Sequence, residues 1–355
     1  MSIARTPRGR RGIALFALGL AISGAGIYLA VHGADAAAVA DALGSSEYSL
    51  LAPAFALLVV ANGMRAVRWQ LMFAKPTRPA FAPTAEVMLV GQFFNCVLPM
   101  RAGEAVRLFA LHARAGTSRA EILGTLVLER AFDILALLGV LFVALPWLPA
   151  ISWLRTAATL GAALALALGV AILVLARWGT RPFHLVLRPL ARLPFLGSLH
   201  VEGTAESLAR GLATLRSVRL GLVAFGLTVV SWIALAASFW FAAVAVAPGL
   251  PFEASILIAT AIGLALVVPS GPAAVGIFEA SVISALSAYD VPHSEALSAA
   301  LVVHAINVVP YLVTGGAILL RWSRSTAKKS QPGPPARRRA WSSAVPNVRP
   351  PFDSG

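Results

Sequence analysis

The sequence predicts an all-α protein, a polytopic bundle of transmembrane helices, on three observations. Of its 355 residues, 58% are hydrophobic and 12% charged, and that charged share is about half what soluble domains carry. Apolar stretches long enough to cross ~30 Å of hydrocarbon recur along the chain. The basic residues, which give a formal net charge of +14, border those stretches instead of covering one polar domain. That is the positive-inside pattern of a membrane protein and not a nucleic-acid surface.

Six full spans are predicted at 13–31, 49–67, 121–145, 156–178, 220–247 and 296–320. The first follows a basic start but lacks a small-residue cleavage site, so it reads as a retained helix. Arg65 and Arg68 close the second span and are expected to snorkel beside an interfacial Trp69. Two segments are shorter and broken. The stretch 84–113 is interrupted at Pro99-Met100-Arg101-Ala102-Gly103-Glu104, and 253–289 at Pro269-Ser270-Gly271-Pro272. A Pro/Gly turn at membrane depth leaves backbone groups that protein or water must cover. Both segments therefore read as re-entrant helical hairpins.

Loop charges orient these elements. Loop 32–48 carries Asp35, Asp41 and Glu47 without a basic residue, and is expected outside. Loops 68–83 and 114–120 are basic and expected inside, so hairpin 84–113 returns to the face it left. Segment 177–219 holds seven arginines and is cytoplasmic, while 290–295 holds only acidic charges. Of the 29 Lys and Arg, all but Arg101, Arg107, Arg130 and Arg155 then fall on one face. Both termini are expected in the cytoplasm of a bacterial inner-membrane protein.

Five regions follow: 1–48, with the first span and outer loop; 49–145, a unit containing hairpin 84–113; 146–219, with span 156–178 and an interfacial segment; 220–322, a unit containing hairpin 253–289; and 323–355, a disordered basic tail. The two hairpin units have the same order and opposite orientation. Interrupted segments at matching positions of inverted repeats mark transport sites near the midplane.

Charges inside a bilayer cost ~2.5–3.5 kcal/mol each on insertion scales, which makes them functional candidates. Asn95, Pro99, Arg101, Gly103, Glu104 and Arg107 cluster at the first break, where Glu104 and Arg107 share a helical face. Open backbone N–H groups beside Arg101 suit an anion. Glu129, Arg130 and Asp133 lie deep in span 121–145, and Arg101 or Arg107 are the expected partners. Pro269, Ser270, Gly276 and Glu279 belong to the second break, and His304 to the last span. Each cluster also admits a purely structural reading, as a locking ion network or a packed histidine. Trp232, Phe239 and Trp240 are expected at the interface or facing lipid. Cys96 is the single cysteine, and no nucleotide loop or metal-ligand spacing occurs, so no cofactor is expected.

In this order the clusters resemble the lysylphosphatidylglycerol synthase transmembrane-region family, also described as flippase-like. Its Arg-x-x-Arg-Trp is matched by Arg65, Arg68 and Trp69. Its Asn, Leu-Pro and Gly-Glu-x-x-Arg are matched by Asn95, Leu98, Pro99, Gly103, Glu104 and Arg107, and its Glu-Arg-x-x-Asp by Glu129, Arg130 and Asp133. The family's Pro-Ser turn with downstream Gly and Glu is matched by Pro269, Ser270, Gly276 and Glu279. Two positions depart: the turn reads Gly271-Pro272-Ala273-Ala274 instead of Pro-Gly-Gly, and His304 stands where the family often has arginine. The resemblance implies a translocase for a phospholipid or lipid-linked headgroup, working without ATP. The expected partners are membrane lipids with an anionic headgroup and a separately encoded lipid-modifying enzyme, with no nucleic acid. The soluble aminoacyl-transferase half of such proteins is not expected here. The alternative is a membrane enzyme or accessory subunit in lipid-linked sugar transfer or envelope lipid modification.

Overall fold

A computed structural model describes residues 7–99, 101–178, 217–266 and 270–330. Among them the chain is helical with no strand. Residues 179–216, which hold most of the expected interfacial segment, Pro269 and the tail beyond 330 lie outside the described residues. The helices are α1 (Pro7–Val31), α2 (Ala36–Gly44), α3 (Leu51–Leu71), α4 (Phe81–Val97), α5 (Gly103–Ala115) and α6 (Arg119–Ala144). They continue with α7 (Ser152–Trp178), α8 (Val218–Val244), α9 (Phe252–Ala265), α10 (Ile277–Leu286) and α11 (His293–Ser330). Met1–Ile318 forms one compact unit and Leu319–Gly355 a second. Helix α11 continues to Ser330, into the stretch expected to be disordered.

Local chemistry sets the boundaries. Asp35 accepts from Ala37 N at 2.9 Å and starts α2, so much of the expected outer loop 32–48 is helix. Leu98 is extended because Pro99 follows it, and that stops α4. Gly116 ends α5 in the left-handed conformation, and Ser118 caps α6 through Glu121 N at 3.1 Å.

Among the described residues, five helical segments are long and apolar enough to cross a membrane: Tyr48–Leu71, Trp153–Leu175, Val218–Val244, Pro272–Tyr289 and His293–Arg324. Residues 17–31 and 36–44, bent by 81°, make a sixth if taken as one broken span. Two assignments differ from expectation. Helix α6, expected as a full span, runs for 26 residues but does not meet that apolar measure, because Glu129, Arg130 and Asp133 sit together in its middle. The second arm of hairpin 253–289 qualifies by itself, since Glu279 is the only charge between Pro272 and Tyr289.

The core is built on α3 and α8. Ser238 Oγ donates to Ala54 O at 2.7 Å, and Arg68 Nη1 to Thr228 Oγ1 at 3.1 Å. Position rises along one helix as it falls along the other, so the pair is antiparallel. Buried Ala54, Ala61, Ser231 and Ser238 allow the close approach. In the first hairpin, α4 and α5 cross where a Cβ on Gly103 would collide with the Gly91 carbonyl and Asn95. In the second, the turn crosses α1, where a Cβ on Gly276 would strike the backbone of Ser23 and Ile27.

Candidate functional site

The two broken segments and the helices around them enclose a chamber of about 520 Å³. Its charged lining comes from α3 (Arg65), the first break (Arg101), α5 (Glu104, Arg107) and α6 (Glu129, Arg130, Asp133). Ser270, Gly271, Ala273 and Ala274 of the second break line it too. Arg101 Nη1 reaches Leu266 O at 3.4 Å, so the two breaks touch.

Three carboxylates are held by three arginines. Glu129 meets Arg107 Nη2 at 2.8 Å and Arg68 Nη2 at 3.1 Å. Asp133 accepts from Arg68 Nη1 at 2.6 Å and lies 3.9 Å from Arg130. Glu104 accepts from Arg107 at 3.1 Å and also pairs with Arg130. The expected Glu104–Arg107 pair is therefore present, and Arg107 is the hairpin partner of Glu129. Arg101 forms no ion pair with Glu129; that place is taken by Arg68. The guanidinium of Arg107 also lies over the Trp69 ring at 4.1 Å, and the Trp69 indole donates to Thr125 Oγ1 at 3.1 Å. Cation–π attraction and a fixed indole hold Arg107 flat in front of Glu129.

Two expectations about α3 are corrected. Arg68 and Trp69 do not snorkel to an interface; both are fully buried. The cause is pairing: the guanidinium lies within ion-pair distance of Glu129 and Asp133, whose charges replace water around it. Likewise Trp232 and Phe239 line the chamber instead of facing lipid. Trp240 is half-buried, its indole donating to Leu250 O at 2.9 Å.

Arg65 and Arg101 have no carboxylate within ion-pair distance among the described residues. Arg65 lies 5.1 Å above the Trp232 ring. Arg101 has φ 53°, a left-handed conformation that costs a non-glycine residue energy and recurs at functional turns. Against Glu104, Glu129 and Asp133 stand Arg65, Arg68, Arg101, Arg107 and Arg130, so the site carries two cations in excess.

The remaining sequence candidates serve the turns. Asn95 Oδ1 accepts from Gly103 N at 2.9 Å, closing the first break while its amide lines the chamber. Pro99 and Gly103 shape that break. Gly276, Glu279 and His304 are not among the chamber's lining residues. Glu279 Oε2 accepts from Gly276 N at 2.6 Å, and its other oxygen meets His304 Nδ1. His304 Nε2 reaches Ala273 O at 3.1 Å, and its ring stacks on Phe278 at 4.3 Å. Of the second-break candidates among the described residues, only Ser270 reaches the chamber, where it is buried. Sequence reasoning missed Arg65, Arg68, Trp232, Asn307 and Tyr311 as site residues. For Arg65 a signal existed, since Asn62, Arg65 and Trp69 repeat at helical spacing along α3.

The family model for the lysylphosphatidylglycerol synthase transmembrane region matches residues 16–315. The chain belongs to this family. Membership and the apolar helices together make it a multi-pass membrane protein. The lysylphosphatidylglycerol synthase transmembrane region thus includes the whole chamber. Glycosyltransferase AglD of Haloferax volcanii is 25% identical over 319 residues, covering 81% of this chain and 51% of that protein. The chain spans about half the length of that curated relative.

Proposed function

We propose that this protein carries an anionic phospholipid or lipid-linked headgroup between the leaflets of a bacterial inner membrane, without ATP. The observation behind this reading is the pair of uncommitted guanidiniums, Arg65 and Arg101, facing a chamber whose carboxylates are already bound. A phosphate in a site poor in water needs charge-assisted donors, and these two supply them. Arg130, half-exposed at the same site, would join them. In this reading the units 49–145 and 220–322 form inverted repeats about the antiparallel α3–α8 pair, with the chamber between their breaks. Both termini would lie in the cytoplasm. Ser45 and Ser294 share a small pocket, so single cysteines there, in a Cys96→Ser background, should both label from outside, and one at Ser118 should not.

In proteoliposomes containing a fluorescent anionic lipid, the protein should speed leaflet exchange with no nucleotide present. Arg101→Gln should slow it while the melting temperature stays close to that of the parent. Exchange no faster than in empty liposomes, across several anionic lipids, would remove the translocase reading. The second reading is an enzyme of lipid-linked sugar transfer, favoured by the likeness to Glycosyltransferase AglD of Haloferax volcanii. It predicts a chemically altered lipid and a loss of turnover centred on Glu129 and Asp133. Against it, both carboxylates are engaged by Arg68, which leaves neither free as a base.

A further inference from the structure

We infer that Glu279, His304 and the Ala273 carbonyl form a proton-binding site that latches the second break, so that loss of the proton frees the chamber wall at Ala273 and Ala274. The inference concerns what holds that wall in place, and it stands whatever the chamber carries.

Donor count is the first argument. His304 Nδ1 meets Glu279 Oε1, and its Nε2 lies 3.1 Å from Ala273 O. A backbone carbonyl and an ionised carboxylate only accept, whereas a neutral imidazole carries a single N–H. Both contacts are satisfied only when one further proton is present, on the ring or on the carboxyl. Either placement leaves the pair neutral overall, which suits side chains as buried as these. Without that proton a ring lone pair faces an oxygen lone pair, and one buried contact is lost.

Backbone strain is the second argument. Ala273 and Ala274 hold φ 52° and 58°, a conformation that costs alanine energy and persists only where surrounding contacts enforce it. The latch grips this stretch at both ends. His304 holds Ala273 O, and Glu279 Oε2 accepts from Gly276 N at 2.6 Å. Ala273 and Ala274 line the chamber while Glu279 and His304 stand behind them. A proton bound behind the wall is therefore coupled to the wall's shape.

Other titratable groups on the packed elements are engaged or set apart. Residues 17–31 of α1 bring Tyr28, which is exposed and stacks on His32. On α4, which packs against the turn, Glu86 pairs with Arg114, and Cys96 lines the chamber. Glu253 lies in the first turn of α9, and Arg219 at the start of α8, whose Phe239 meets Phe278. Tyr289 and Asp290 follow the end of α10. On α11, Glu295 is in the first turn, His293 Nε2 lies 3.1 Å from Ala30 O, and Tyr311 donates to Asn62. Among the described residues, Glu279 and His304 are ion-paired to each other alone.

The test is hydrogen–deuterium exchange of the full chain in detergent, read by mass spectrometry from about pH 5 to 9, across the range where imidazoles titrate. Exchange of every amide quickens with pH, so the quantity of interest is a ratio between the two breaks. Peptides covering 273–280 are compared with peptides covering 102–107, where Gly103 N is held by the amide oxygen of Asn95, which does not titrate. In the parent chain this ratio should climb at least about tenfold from the acid to the alkaline end, as the latch loses its proton and one buried contact. Glu279→Gln should hold the ratio flat at its low-pH value. The new amide accepts from Gly276 N with its oxygen and donates to a neutral His304 with its NH₂, so no extra proton is needed. A flat ratio in the parent overturns the inference, whether or not the Glu279→Gln chain folds. A climb that persists in Glu279→Gln overturns it too, because another group would then be titrating.

Discussion

The two broken segments place a carboxylate next to a turn in each case, yet they use it in opposite ways. At the first break, Glu104 faces the chamber and is shared between Arg107 and Arg130, inside a network that continues through Glu129 and Arg68 to Asp133. At the second, Glu279 turns back on its own helix start, binding Gly276 N and His304 away from the chamber. Charges at the first break are permanent and need permanent partners. The partner at the second is an imidazole, which can be neutral. One break is therefore built to present charge and the other to close a turn.

Substitution of Glu129, the centre of the first network, and of Glu279 tests that contrast, and here the largest effect is expected. Glu129→Ala leaves Arg68 and Arg107 buried with fewer counter-charges and should cost ~3–5 kcal/mol, read as a fall in melting temperature in detergent. Glu279→Ala removes the acceptor of Gly276 N and the partner of His304, and should cost only ~1–3 kcal/mol, the penalty of an unmade buried hydrogen bond. Equal losses would show that the second pair is as strongly ionic as the first, and would break the comparison.

Glycines at the two breaks sharpen it. Gly103→Ala drives a methyl into the Gly91 carbonyl, within the first hairpin itself. Gly276→Ala meets the backbone of α1 and also has to hold φ 88°. Overpacking alone costs ~1–3 kcal/mol, so Gly276→Ala should be the more damaging of the two in the same thermal assay. The reverse order would mean that α1 gives way more easily than the arms of the first hairpin.

The smallest effect is a gain. Ala273 and Ala274 hold φ 52° and 58° at the second break. Left-handed backbone costs an alanine about 1–2 kcal/mol relative to glycine's freedom. Ala274→Gly should raise the melting temperature slightly. The same replacement at Arg101 relieves φ 53° but removes a chamber cation, so Arg101→Gly should gain stability and lose leaflet exchange. Loss of both would mean that Arg101 serves the fold and not a ligand.

Much of this architecture was legible in one dimension. Helix breaks at Pro99 and around Ser270, the Glu104–Arg107 spacing and the depth of Glu129 follow from residue type and local geometry. The α2 helix inside the expected outer loop was less visible, because it is only nine residues long and lies among acidic residues that read as a loop between two spans. The roles of Arg68 and Trp69 were misread, because a basic residue near a span end and an adjacent tryptophan are equally the marks of an interface.

By itself the sequence determined the solvent, the helical class, the positions of the breaks and the residue types gathered there. Each depends on composition or on neighbours within a turn or two, where covalent geometry and hydropathy act directly. Only the tertiary structure decided which charges neutralise one another. Arg68 reaches Asp133 across 65 residues and Thr228 across 160. Pairings over such separations depend on how α3, α6 and α8 pack, and no local pattern encodes them. The same packing turned Trp232 and Phe239 inward, left Arg65 and Arg101 without carboxylate partners among the described residues, and set Glu279 and His304 outside the chamber. A charge's function here follows from what is left unpaired once the helices have met.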